Sequence, residues 1–120
     1  MKPNIDNTKF GSITIAGKLY DHDLIIRSNG RIEKRKKKMS KSIYGTSHMI
    51  SLAEAQYVYE EGAELIIIGA GQNGMVKLSG EADDYFHQQN CAVKILPTSE
   101  AIRYWNGAKG AIVGLFHVTC

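Results

Sequence analysis

The run Leu65-Ile66-Ile67-Ile68 constrains this chain more than any other feature. It is too short for an ordinary helix and has no polar residue to face water, and glycines at 69 and 71 bound it. A strand covered on both faces satisfies these conditions, so the chain must place elements on either side of a sheet. The neighbouring sequence supplies them. Ser51-Leu52-Ala53-Glu54 reads as a capping box, where the Ser hydroxyl accepts a free amide and the Glu reaches back. Leu52, Ala55, Val58 and Tyr59 then share one helical face, and Gly62 ends that helix. Ser79 to Gln89 forms a second helix with Ala82, Tyr85 and Phe86 inward. Ala92 to Leu96 is a strand, and Ile67 and Val93 are expected in central strands covered on both faces. Pro97-Thr98-Ser99-Glu100 opens a third helix with Ala101, Ile102 and Trp105 inward. Ala111 to Val118 closes the chain as a strand. Strands joined through a helix run parallel.

The first 45 residues have a different texture. Phe10 to Ile15 alternates as a half-buried strand does, and Ala16-Gly17 turns the chain. Leu19 to Arg27 contains a second strand. Asn29-Gly30 is a strong hairpin signal, with Arg31 to Lys38 as a basic return strand. A β-meander followed by β-α-β-α-β gives the expected class: α/β, a single three-layer domain over residues 1–120 with a mixed central sheet, the N-terminal meander on one side and helices on the other. At 120 residues one domain is the default.

Charge is concentrated. Arg31 to Lys41 holds seven cations (Arg31, Lys34, Arg35, Lys36, Lys37, Lys38, Lys41) and one acid, Glu33, which is +6; the other eight cations and eleven acids leave −3. Such a segment attracts an anionic partner: a nucleic acid, a phosphorylated ligand or an acidic protein face. It is equally what a solvated edge strand uses to block aggregation. Tyr44 is the only nearby ring, which counts against stacking on single-stranded nucleic acid.

Gly69-Ala70-Gly71-Gln72-Asn73-Gly74 is a GxGxxG directly after a strand, where loop amides cradle phosphates. The dinucleotide version starts its helix inside the glycines, but Met75 to Leu78 is extended here, and no acidic residue ends the next strand. The loop is therefore a tight turn or a small anion site, and no cofactor is expected. Asp21-His22-Asp23 alternates sides and cannot converge on a metal, and His22, His48, His87 and His117 show no metal-ligand spacing. His48 and His117 have the right chemistry for an acid or base, with no partner legible. No nucleophile elbow or Cys–His pair is present. The two cysteines, Cys91 and Cys120, fit buried small hydrophobes in strands, in a reducing cytoplasmic setting without a membrane span.

Taken together, Phe10-Gly11-Ser12-Ile13, Tyr20 with Asp23-Leu24-Ile25-Ile26, Asn29-Gly30-Arg31, Gly45 to His48, Ile67 to Gly71 with Gly74, Leu96-Pro97-Thr98 with Glu100-Ala101, Tyr104, Asn106 and His117-Val118-Thr119-Cys120 form a pattern. This pattern resembles the Mth-type domain family, which includes the adipogenesis-associated Mth-domain protein and the mitochondrial complex I assembly factor 3 group. The resemblance implies one three-layer α/β domain, no established enzyme activity among archaeal and bacterial members, and partner binding or complex assembly among relatives. Many relatives carry Trp and fewer Lys before His48, so a shared partner does not follow for that surface. Three functions are then open. The first is a binding or assembly domain, with a shallow site for a protein partner or anionic ligand between Gly69, Ala70, Gly71, Gln72, Gly74 and His48 and the segment carrying Arg31, Lys34, Lys36, Lys37 and Lys38. The second is a ligand-binding domain or enzyme using the Gly69–Gly74 loop for a phosphate-bearing molecule. The third is a weak nucleic-acid binder through Arg31–Lys41.

Overall fold

A computed structural model describes residues 2–120. The strands are β1 (Ile5–Lys9), β2 (Ser12–Ile15), β3 (Lys18–Tyr20), β4 (Leu24–Ile26), β5 (Ile32–Lys34), β6 (Met49–Ile50), β7 (Leu65–Ala70), β8 (Lys77–Leu78), β9 (Ala92–Leu96) and β10 (Ile112–His117). The helices are α1 (Lys38–Tyr44), α2 (Leu52–Val58), α3 (Gly80–Gln88) and α4 (Thr98–Gly107). The main sheet is mixed, in the order β5-β4-β10-β7-β9. β7 pairs in parallel with both β9 and β10, while β4 runs antiparallel to β10 and β5. β1, β2 and β3 make the antiparallel meander, and β6 and β8 form a short parallel ribbon.

The apolar run at 65–68 is central, as its composition demands. Ile66 and Ile68 join Val113, Leu115 and Ile25 on one face, under Ala55, Val58, Ala82 and Phe86 of α2 and α3. Ile67 joins Leu24, Ile26, Ile112 and Phe116 on the other, under Ile5, Ile13 and Ile15 of the meander and Ala101, Ile102 and Trp105 of α4. Thus α2 and α3 lie opposite the meander, and α4 shares the meander's face. Asn106 ties α4 to β1, accepting from the Ile5 amide at 2.9 Å and donating to the Ile5 carbonyl at 2.9 Å.

Several expected boundaries move, each for a physical reason. β9 is the sheet edge, so Val93 is half-buried rather than covered on both faces. The region Leu19–Arg27 divides into β3 and β4, which belong to different sheets, because Asp23 turns inward to a buried network. β1 precedes the expected first strand, and Phe10 stands exposed in the turn between β1 and β2. α2 stops at Val58, and Gly62 takes its positive φ in the following turn. The capping box is half made: the Ser51 hydroxyl accepts from the Glu54 amide at 3.1 Å, but the Glu54 carboxylate goes to Arg35 instead of back to Ser51. The basic return strand ends at Lys34, and residues 38–44 form a helix. Cys91 is buried, but Cys120 lies beyond β10 and is half-buried.

Candidate functional site

The site grows from the C-terminal end of β10, where a parallel-sheet strand delivers its last side chains to the rim. His117, the last residue of β10, is buried. Its Nδ1 lies 2.6 Å from Oδ2 of Asp23, which the β3–β4 link carries beneath it. The other Asp23 oxygen accepts the Val118 amide at 2.9 Å. Arg35 follows β5 and turns its guanidinium into the protein. It donates to Asp23 Oδ2 at 2.9 Å, to both Glu54 oxygens at 2.6 and 3.0 Å, and to the Ser47 carbonyl at 2.8 Å. Ser40 of α1 donates to Glu54 and accepts the Ser51 amide. Among the described residues no buried side-chain polar atom lacks a partner, which is what a buried ionic network requires if it is not to destabilise the fold.

This packing decides protonation. Burial alone would raise the Asp23 carboxyl, but the hydrogen bonds from His117 and Val118 and the electrostatic pull of His117 and Arg35 outweigh it and hold it at about 2. Burial likewise opposes the Arg35 charge, but its bonds to Glu54 and Asp23 prevail and raise its pKa above the ordinary value. Glu33 is held at about 2, chiefly by Arg27, against some burial, with help from Arg31 and Tyr57.

Above the network lies a cleft of about 580 Å³, lined by Asp21, His22, Asp23, residues 34–39, Val118 and Thr119. Lys34, Lys36 and Lys38 are exposed and Lys37 is half-buried, its Nζ 3.8 Å from Asp23 Oδ2. Four lysines thus stand around a floor where two carboxylates, Asp23 and Glu54, share the one guanidinium of Arg35.

The expected site residues divide. Lys34, Lys36, Lys37 and Lys38 line the cleft together. Arg31 does not join them: it pairs with Glu33 at 2.6 Å beside a separate hollow with Arg27 and Tyr57. Arg35, read in sequence as one more surface cation, is interior. His48 packs edge-on against His117 with ring centroids 5.4 Å apart. The glycine loop abuts the same ring. A Cβ on Gly71, whose φ is +97°, would lie 2.8 Å from His117 Cδ2 and would overlap the Cys120 main chain. The loop amides are engaged within the chain. Gln72 donates to the Thr119 carbonyl at 2.7 Å, Asn73 and Met75 donate to the Cys120 oxygen at 3.2 and 3.3 Å, and Gly71 donates to Thr98 Oγ1 at 2.9 Å. Gly74 also has a positive φ, and Ala70 is buried in the sheet. Sequence reasoning missed Asp23, Arg35, Glu54 and Thr119 as members of one site. Alternation did place Asp23 opposite His22, but nothing local showed that a residue 94 positions away would meet it.

The comparisons agree with this architecture. The family described as "Protein of unknown function (DUF498/DUF598)" matches residues 5–112. The crystal structure of conserved hypothetical protein PH1505 from Pyrococcus horikoshii OT3 is 34% identical, with a TM-score of 0.88 over 98% of this chain and 99% of that one. The structure described as MT938 is 33% identical, with a TM-score of 0.82 over 99% of this chain and 100% of that one. A Bordetella pertussis protein described as a Mth938-like domain shares the fold at 14% identity and a TM-score of 0.64, over 97% of this chain and 85% of that one. With its family match spanning both the meander and the α/β half, the chain belongs to the DUF498/DUF598 family and carries the Mth938-like domain.

Proposed function

We propose that this protein is a binding or assembly domain, acting as one unit over residues 1–120, whose basic cleft receives an anionic group of a partner or ligand. The observation that carries the reading is the convergence of Lys34, Lys36, Lys37 and Lys38 on a cleft whose floor is a fully bonded ionic network. Among the described residues Lys37 alone of the four pairs with the floor, so the clustering of Lys34, Lys36 and Lys38 is best used on an external anion. The phosphate-cradle alternative is weaker. A phosphate on the glycine loop would first have to displace the Thr119 and Cys120 oxygens from its amides. Among the described residues no helix is long and apolar enough to cross a membrane, and both cysteines are free, which fits the cytoplasmic setting proposed here.

The test is a charge reversal. Lys34→Glu, Lys36→Glu and Lys38→Glu together should abolish retention on heparin at low salt while the melting temperature shifts little, since all three are exposed. Wild-type retention should also fall steeply with salt, as screening shortens below ~10 Å. Unchanged retention after the triple reversal overturns the reading. A retention that tracks nucleic-acid affinity in a competition with single-stranded DNA would favour the nucleic-acid reading instead.

A further inference from the structure

We propose that Asp23, His117 and Thr119 form a carboxylate–imidazole–hydroxyl relay that makes Thr119 a nucleophile toward an activated acyl group borne by an anionic molecule. This rests on the cleft being an anion site, and it adds a chemistry that binding alone does not need.

The relay follows from which groups can donate. Asp23 is ionised throughout the ordinary pH range, so its oxygens only accept. The His117 Nδ1, 2.6 Å from Oδ2, must therefore carry a hydrogen. A neutral ring then has its lone pair on Nε2. Thr119 Oγ1 lies 3.1 Å from Nε2, where the neutral ring accepts its hydrogen. Nucleophile, base and orienting carboxylate thus stand in the connectivity that activates a hydroxyl in unrelated hydrolases. The ring is hemmed in: His48 packs edge-on against it, and the space at Gly71 is so narrow that a Cβ there would lie 2.8 Å from its Cδ2. The Thr119 backbone is fixed as well, its carbonyl accepting the Gln72 amide. Asp23 is a positioning residue and His117 the base, both beneath the surface, while Thr119 lines the cleft beside the lysines. The buried end is locked, and the reacting residue belongs to the lining of the basic cavity.

The step balances. The Thr119 O–H bond breaks, its proton passing to His117 Nε2, as Oγ bonds the acyl carbon of an ester. The tetrahedral adduct collapses, and the alkoxide leaves with that proton. Water then attacks the acyl-threonine by the same route in reverse. It yields the free acid and restores the hydroxyl, so ester and water become acid and alcohol. The lysine rim selects an acyl group bearing a carboxylate or phosphate and supplies positive potential as the oxyanion forms.

The test uses the full chain carrying Cys120→Ala, so that the neighbouring thiol cannot be acylated. The probe is the mono-4-nitrophenyl ester of succinic acid, with neutral 4-nitrophenyl acetate beside it. Expected are nitrophenol release faster for the anionic ester, and a single succinyl adduct that mass spectrometry maps to Thr119. Thr119→Val should lower the rate by about 100-fold, and Thr119→Ser should restore it, because only the hydroxyl matters. Heparin retention should survive in Thr119→Val. Hydrolysis unchanged in Thr119→Val, or adducts confined to lysines, overturns the relay and leaves the anion cleft standing. A charge-reversed triple lysine variant that loses heparin retention yet still acylates Thr119 supports the relay while overturning selection by the lysine rim. His117→Gln is not the deciding variant, since loss of a buried ring disturbs the packing of the site along with its chemistry.

Discussion

Arg35 and its neighbours Lys34, Lys36 and Lys37 are indistinguishable in composition, yet their energetic roles are opposite. Arg35 is enclosed and bonded to two carboxylates and a carbonyl, a geometry that suits the planar fork of guanidinium. Arg35→Met would leave Asp23 and Glu54 facing each other without their cation. The expected loss is about 3–5 kcal/mol in urea unfolding, and a loss under about 1 kcal/mol would show that the network is not what holds these elements together. The same charges set the response to acid. Asp23 and Glu33 have folded pKa values of about 2, below their ordinary values of 3.8 and 4.5. Each therefore contributes stability that is fully present above the unfolded pKa and is lost as pH falls through the folded value. Melting temperature should hold down to about pH 5 and decline from there toward about pH 2. Glu33→Gln is the safe probe, since Glu33 is near the surface. Discounted for solvent, it should cost about 1–2 kcal/mol at pH 7 and only a small part of that by about pH 2. A cost that persists undiminished in acid would show that Glu33 acts through packing. None of this was legible beforehand. Charge arithmetic sees the number of cations in Arg31–Lys41 but not that one of them is inserted through the layer between β5 and α2.

At the scale of elements, the legible parts were those with a period or a cap. The apolar run gave β7, and the spacing of Ala101, Ile102 and Trp105 gave α4, all three buried as expected. The expected start at Ser79 was right for a reason that periodicity does not show: its hydroxyl accepts the Ala82 amide at 3.1 Å at the start of α3. What failed was α1. Its only buried residue is Ser40, and Ile43 and Tyr44 point to solvent, so no amphipathic stripe marks it. It forms because Ser40 closes the bonds of Glu54 and Ser51. The glycine loop was legible as a turn but not as a fitted one. Gly71 combines a left-handed φ with contact to Cys120 and His117. Gly71→Ala should therefore cost at least about 2 kcal/mol by thermal or urea unfolding, the sum of the left-handed penalty and a backbone collision. Gly80→Ala provides the contrast, since it opens α3 with free space around it and should be neutral or gain about 0.5–1 kcal/mol. Equal effects at the two positions would mean that the loop simply relaxes away from the C-terminal segment.

At the scale of the molecule, one strand joins two cores. β7 sends Ile66 and Ile68 toward α2 and α3, and Ile67 toward the meander and α4. The two clusters meet only through the sheet, so their common strands β7 and β10 transmit any loosening from one side to the other. β10 shows how tightly the second cluster is built. A Cβ on Gly114 would come within 2.6 Å of Phe116 and 3.0 Å of Trp105, whose rings pack edge-to-face beside it. Little collapse is available there to fill a void. Ile67→Ala should accordingly cost at the upper part of roughly 2–5 kcal/mol, through lost burial plus an unrelaxed cavity. Val93→Ala, paired with Ile66 but on the edge strand and half-buried, should cost roughly 1 kcal/mol or less, since much of its surface is already wet. The comparison needs both variants under one urea titration. If Ile67→Ala costs no more than Val93→Ala, β7 is not the strand on which the two cores depend. If it costs several times more, with the slope of the transition unchanged, both cores unfold as one cooperative unit through the strand they share.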